Sequence, residues 1–386
     1  MTVRIVSKTL PGSYSSAPRV QQDAKGDWHI RGYAETKELL RADLHQDGFN
    51  AENIKKSGLD PVLYQHGEAH RVQRAAIAKF FSPSTVAQKH MPMIEKAAND
   101  ILADLLRVKR LDLKTLTNRM ATVVAATVVG LDPTPGLVRR LEAMLHSPTS
   151  QATGLGKIWF EIVSNLPRLS FWWLDVRPAI NKHKRSPQDD VISYMLSKDK
   201  SSLAIFAECI VYGAAGMATT QEFILICLMH ALENPRMRAA LTSPDQAVRY
   251  EALHEILRIE PVIAKIKRKT VEPITLTSAG ETHTIPAGAK INFHIYDLNV
   301  DEQTLGAEAQ CLNPHRELEQ GVNRSLAGFG SGSHRCAGEH VAIAETDVFL
   351  RKLLAFPGLR LESKPTISRN ETVEGYEISN YIVSVD

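Results

Sequence analysis

Phe329-Gly330-Ser331-Gly332-Ser333-His334-Arg335-Cys336-Ala337-Gly338 is the stretch whose reading decides the fold of this chain. One cysteine sits among small, turn-forming residues, with a histidine two places before it, a glycine two places after it and an alanine-rich helical pattern following. Gly330, Gly332 and Gly338 carry no Cβ, so the backbone there can take positive φ and lie close against a flat ligand. A helix start gathers unpaired N–H groups and positive dipole, and both lower a thiol's pKa and favour the anion.

A metal would want such a sulfur. One thiolate with no second soft ligand nearby does not close a structural zinc site, which takes four protein ligands. Iron already held by four porphyrin nitrogens needs only one axial ligand from protein, and a cysteine thiolate is used for oxygen activation. Two plainer readings compete. Gly328 to Gly332 could cradle a phosphate, but such a loop follows an apolar strand, and residues 313–324 are polar and irregular. A buried cysteine can also serve as a small hydrophobe, which the glycine spacing argues against.

Phe329, Gly330, Gly332, His334, Cys336 and Gly338 together resemble the haem-binding loop of the cytochrome P450 family. The resemblance implies that Cys336 is the axial ligand of haem b. Three further segments in the right order share it. His70 and Arg74 match the His-x-x-x-Arg pair that holds the haem propionates, and a cationic pair suits two carboxylates. His66 and His70, four apart, are also a conceivable zinc pair, although Glu68 is misplaced for the zincin pattern, and a solvated helix face is the plain alternative. Gly213-Ala-Ala215-Gly216-Met-Ala218-Thr219-Thr220 resembles the oxygen-binding groove of the family's long helix. A run of small residues thins one helix face and lets the distal side of a haem pack close. Thr219 falls where the family has a threonine that bonds bound dioxygen, and Ala218 stands where it has an acid that helps deliver protons. Glu222, four residues on, is one replacement, and ordered water or the substrate is another. Glu255-Ile-Leu-Arg258 matches the buried Glu-x-x-Arg pair that braces the family's core, whereas in isolation an i,i+3 pair is usually exposed.

After Pro261 the same resemblance implies that Val262, Ile263 and Ala264, with Ala215 and Gly216, touch substrate, and that Arg268 binds a propionate, with Lys267 a near rival. Thr372 to Val385 reads as a closing hairpin whose turn, near Ile378, lines the pocket, and Asn299-Val-Asp301 looks like the remnant of an Asn-Arg-Asp segment.

The 386 residues are 44% hydrophobic and 23% charged, normal for a globular protein with a sizeable core. No Pro/Gly/Ser-rich joint or internal repeat divides them, so residues 1-386 read as a single domain. A net charge of +3 is too balanced to argue for nucleic acid or a membrane surface. Cys209, Cys227, Cys311 and Cys336 show no paired spacing, which fits a reducing compartment. Met1 to Gly12 has no apolar core for a signal peptide, and the apolar stretch Leu203 to Leu232 is interrupted by Glu208, Gln221, Glu222 and His230, so it reads as a buried helix and not a membrane span. The expectation is a cytoplasmic protein.

Along the chain, period-3.6 patterns predict helices over 34–41, 86–108, 113–129, 135–145, 203–233, 246–259 and 339–354, and period-two patterns predict short strands at 27–30, 274–277 and 282–285. Residues 43–60 read as a loop, and Phe171-Trp172-Trp173-Leu174 as core or a pocket lid. The expected fold is mainly α with a small β region, a single-domain cytochrome P450-like fold with a long central helix over the haem. The implied reaction inserts one oxygen atom from O2 into a small organic substrate. Electrons come from a ferredoxin or flavodoxin with an NAD(P)H-dependent reductase, because the sequence contains no flavin or iron-sulfur segment. His315, Arg316, Arg324, Arg335, Arg71 and Lys79 offer a basic patch for such a partner, or an ordinary solvated surface. A peroxide-driven or coupling haem-thiolate enzyme, and a non-catalytic haem sensor, share every ligand residue.

Overall fold

The computed structural model describes residues 7–9, 17–49, 51, 54, 58–145, 165–371 and 374–386. Its axis is the helix Ser202–Glu233. Ser201 caps it by accepting from the Ala204 N–H at 3.1 Å. It stops at Asn234, which is extended at φ −124° and ψ 105° because the following Pro235 disfavours helical backbone there. Asn234 then caps the next helix, Pro235–Leu241, at Arg236 N and Met237 N.

The long helix lies along the helix Leu113–Val129 and touches the helices Gln246–Ile259 and Glu339–Leu354. By length and composition it could cross a membrane. It is instead packed into the protein core, with Ile224 to Leu228 fully enclosed. Burying side chains of this size stabilises by about 1.5–3 kcal/mol each. The small residues serve this packing: a Cβ on Gly216 would come 2.7 Å from the Cβ of Ala125, and one on Gly213 would come 3.1 Å from Leu141. Gly213 and Gly216 therefore admit neighbouring helices, contrary to the expectation that the whole run thins the ligand-facing side.

A five-stranded sheet has the order Val20–Gln22, Trp28–Ile30, Lys290–His294, Lys265–Thr270, Leu44–Gln46, with only the Trp28–Ile30 and Lys290–His294 pair parallel. It closes a second apolar cluster around Ile30, Leu39, Ile291 and Phe293. Ile274–Ser278 and Glu281–Ile285 form a hairpin over Ala279-Gly280, both at positive φ, the backbone that matches strand twist.

Three expectations change. Leu44–Gln46 is a strand within the segment read as a loop, and parts of that segment lie outside the described residues. Ile378 is not in a turn. It lies in the strand Gly375–Ser379, paired with Thr366–Asn370, while Ile382–Ser384 joins a different sheet with Arg110–Asp112 and Arg360–Leu361; Thr372 lies outside the described residues. In the aromatic cluster Phe171 is buried, whereas Trp173 and Leu174 are exposed and the Arg177 guanidinium stacks on Trp173.

Candidate functional site

The cysteine loop is closed by its own backbone. Cys336 N donates to Phe329 O at 2.9 Å, Gly330 N to Ala327 O at 2.8 Å and Arg335 N to Gly332 O at 3.1 Å. Gly330 and Gly332 take φ of 73° and 70°, and a Cβ on Gly332 would meet the Leu40 carbonyl oxygen at 2.4 Å. Gly338 is different, with φ −86°, and a Cβ there would meet nothing within 4 Å. Its openness leaves free the approach beside Cys336. The following helix, Glu339–Leu354, begins three residues after the cysteine. The thiol faces accessible space but is set deep among protein atoms. Burial pushes its pKa up, outweighing the Gly338 N–H and the nearby Arg74 and Arg335, so the helix start does not lower it as expected.

Around this sulfur the fold gathers imidazoles and guanidiniums from three separate segments. His70, at the start of the helix Gly67–Ala78, is buried and stacks on His334 with ring centroids 4.0 Å apart. Arg74, one turn on, donates to the Arg335 carbonyl oxygen. Arg268 is 5% exposed and donates to Gln46 and to the Lys267 carbonyl oxygen. No carboxylate meets it among the described residues, and burial holds its pKa down to about 10. Burial and the neighbouring Arg268, His70 and Arg74 push His334 down to about 3. Lys267, on the opposite face of the strand, pairs with Glu374.

His66 does not share a partner with His70. Its ring stacks on His45 at 3.7 Å, and the described residues contain no group of three metal-binding side chains. A single sulfur beside guanidiniums that meet no carboxylate among the described residues, with an open face at Gly338, fits a flat macrocycle carrying two carboxylates and wanting one axial ligand.

On the long helix, Ala215 is exposed and Thr219 half-buried, and the Thr219 hydroxyl donates to the Ala215 carbonyl oxygen at 2.7 Å. Ala218 is buried. Glu222 is 1% exposed and its Oε2 accepts from Ile378 N at 2.7 Å, while Oε1 has no hydrogen bond and lies 3.8 Å from Lys114 Nζ. Burial raises its pKa to about 7, against the pull of Lys114. Ile378 is itself fully enclosed, and Val262 nearly so, whereas Ile263 and Ala264 are partly exposed. Glu255 and Arg258 are buried and joined by two bonds of 2.8 Å, so the exposed-pair reading does not hold.

Several participants escaped the sequence reading. Glu345 is buried, bonded to Thr220 beside Thr219, and held protonated well above the usual carboxylate range by burial. An acid inside the apolar run Val341 to Phe349 was its available signal. Gln46 and His45 gave none, because only strand pairing brings them close. The expected basic patch is largely neutralised within the chain: Arg324 and His315 meet Glu251, Arg335 meets Glu339, Arg71 meets Glu68, Lys79 meets Asp189, and Arg316 is buried on backbone carbonyls.

The family model described as Cytochrome P450 matches residues 175–356. The chain is 24% identical over 375 residues to the biotin biosynthesis cytochrome P450 of Bacillus subtilis (strain 168), covering 93% of this chain and 89% of that protein. Over 157 residues it is 31% identical to the mycinamicin VIII C21 methyl hydroxylase of Micromonospora griseorubida, 40% of this chain and 38% of that one. The fold superposes with a TM-score of 0.76 and 21% identity on P450BioI, crystallised in complex with hexadec-9Z-enoic acid ligated acyl carrier protein, over 95% of each chain. The family-model match, the relatives and the fold together support a cytochrome P450 family member, an oxygen-incorporating oxidoreductase whose cofactor is haem b.

Proposed function

We propose that the protein is a monooxygenase that inserts one atom of O2 into a small, largely apolar organic substrate, using electrons from an external ferredoxin or flavodoxin with its NAD(P)H-dependent reductase. The observation that carries this reading is Cys336, accessible within its glycine loop and flanked by His70 and His334 and by Arg74 and Arg268, two guanidiniums that form no ion pair among the described residues. Bound haem supplies the redox-active iron at which oxygen is activated.

Cys336 would supply the thiolate ligand to the haem iron, and Arg74, Arg268 and His334, with His70 stacked behind, would hold the two propionates. Phe329, Gly330 and Gly338 shape the loop that carries the sulfur. Glu255 and Arg258 brace the core beneath it. Thr219 keeps a hydroxyl at the accessible face of the long helix. Ala218 offers no proton, so Glu222 takes that duty. With a pKa near neutrality it exchanges protons readily, and Lys114, whose side chain is 20% exposed, links it to solvent. Ile263, Ala264 and Ala215 border the substrate; Val262 and Ile378 back them from the core, and Gly216 faces the neighbouring helix at Ala125.

The test is spectroscopic. The purified, reduced protein under carbon monoxide should give the red-shifted thiolate-type Soret band, and Cys336→Ser should abolish it. A colourless protein after expression with ample haem sinks the reading. The buried alanine at 218 favours one second reading, turnover with hydrogen peroxide and no redox partner, which a direct peroxide assay separates from the first.

A further inference from the structure

The helix through residues 165–185 packs inward by Phe171, Val176, Ala179, Ile180 and His183, all buried. Its single acid, Asp175, is also buried and accepts two bonds of 2.6 Å from Arg140. Spacings of three and four carry the opposite, exposed stripe from Leu166 through Leu169, Trp173 and Arg177 to Lys184. One wide turn, Trp172–Val176, brings Leu174 out beside Trp173. Four of the ten large apolar side chains left exposed among the described residues stand here, Leu166, Leu169, Trp173 and Leu174, each more than half exposed. A fifth, Leu203, lies one turn before Phe206, whose ring meets Phe171 and Trp172. Single apolar side chains on a surface need no explanation, but a cluster of them marks a face that meets something.

The second half of the stripe is cationic. Arg177, Lys184 and Arg185 are exposed and form no ion pair among the described residues, and the Arg177 guanidinium stacks over Trp173, 4.4 Å from the ring centroid. Lys184 and Arg185 suit the negative end of the helix dipole, but Arg177 stands too far from that end to gain by it. Asp132 and Asp189, exposed acids beside the helix, are already met, the first by Lys182 and the second by Lys79 and Lys89. The balanced charge of the whole chain, +3, hides this one-sided face.

We propose that this stripe docks the protein on an anionic lipid surface, with Leu166, Leu169, Trp173 and Leu174 entering the acyl boundary and Arg177, Lys184 and Arg185 lying at the headgroups. Charge complementarity chooses the occupant. A second copy would bring the same unmatched cations against these, so like charge opposes self-association. An apolar end leading into a cationic end extends over about 30 Å of helix, which a flat bilayer interface meets along its whole length. Leucine and tryptophan beside basic residues are the composition of helices that lie in such an interface, where long cationic stems cover apolar surface and keep their heads wet. The proposal stands apart from the monooxygenase reading, since it says where the protein works and not what it oxidises.

Cosedimentation of the haem-loaded protein with vesicles tests this, using phosphatidylcholine alone and phosphatidylcholine mixed with phosphatidylglycerol. Binding should need the anionic lipid and weaken at high salt. Arg177→Gln with Lys184→Gln should weaken it roughly fivefold per charge removed. Leu169→Ser with Leu174→Ser should abolish retention, while Leu106→Ser, an exposed apolar position on Met91–Val108, should change nothing. All these side chains are exposed, so each variant should keep the wild-type circular dichroism. Vesicles with brominated acyl chains should quench tryptophan emission, and Trp173→Phe should remove most of that quenching. Equal retention on both vesicles, or full retention of the double leucine variant, overturns the proposal. Soluble polyglutamate binding as tightly as the vesicles also overturns it, in favour of recognition by charge alone, and so does dimerisation without lipid binding, which would give the stripe to a second copy.

Discussion

Arg258 is fully enclosed and spends its whole guanidinium on five bonds. Two go to Glu255 and one each to the carbonyl oxygens of Asn299, Ala309 and Cys311. Glu255 in turn accepts from Asn313 N at 2.7 Å. Arg258→Ala therefore strands a buried carboxylate and three acceptors. We expect a loss of roughly 3–5 kcal/mol in urea unfolding, with haem retention falling alongside it. Arg258→Lys should rescue little, because an ammonium cannot reproduce the planar fork. At the strand residues 267 and 268 the expectation splits. Arg268→Gln removes a buried cation that has no acid partner, so haem should pass to apomyoglobin several-fold faster than from wild type. Lys267→Gln, whose side chain is committed to Glu374, should leave that transfer rate unchanged. Equal rates for the two variants would remove Arg268 from the proposed propionate cradle.

The long helix illustrates how a whole element constrains its residues. Gly216→Ala should cost about 1–3 kcal/mol by forcing the helix off Leu113–Val129, and Ala125→Gly in the same chain should recover most of it, since the clash is between those two Cβ positions. The helix also buries Glu208, whose Oε1 accepts from Val62 N and Gln73 Nε2, and Glu222. Burial raises both carboxyls from 4.5 to about 7. The folded state thus holds protons that the unfolded chain releases, so stability is full below the unfolded pKa and is lost as pH rises through 7. The window is pH 4.5 to 7, and each acid contributes up to about 3 kcal/mol across it. Glu208→Gln should flatten its share of that slope in unfolding titrations; an unchanged slope would mean that Glu208 is not protonated in the fold. The bounds of this helix were legible to within a residue because the apolar period and the proline are local: Asn234-Pro235 ends it, while the Ser201 cap shows only in the fold. The place of Ile378 was not, because a strand's partner is set by register with Thr366–Asn370 and its neighbour's by a different sheet.

At the scale of the whole molecule, contacts distant in sequence decide what a motif cannot. Cys336, His70, Arg74 and Arg268 could each be named from the family resemblance, yet the acid beside Thr220 arrives from the helix Glu339–Leu354, and Gln46 arrives on an edge strand. The pairing of the basic residues was hidden for the same reason, because acids that meet them, such as Glu251 and Asp189, lie elsewhere in the chain. One such link ties residues 7–9 to Glu260. This fully enclosed carboxylate accepts from Ser7 Oγ at 2.7 Å, Lys8 N at 2.8 Å, Thr9 Oγ1 at 2.6 Å and His230 Nε2 at 3.0 Å. Burial alone would raise its pKa, but the bonds from His230, Thr9 and Lys8 outweigh it and leave it lowered. Its contribution is therefore present above pH 4.5 and lost as pH falls below that. Glu260→Gln replaces one acceptor oxygen with an NH2 group that must face donors, so the segment should detach at a cost of roughly 1–3 kcal/mol. Limited trypsin digestion reads this directly. Cleavage after Lys8 should accelerate in the variant while cleavage at Arg71, on the exposed face of Gly67–Ala78, keeps its wild-type rate. If Lys8 stays as protected in Glu260→Gln as in wild type, the carboxylate is not what fastens the two distant parts of the chain together.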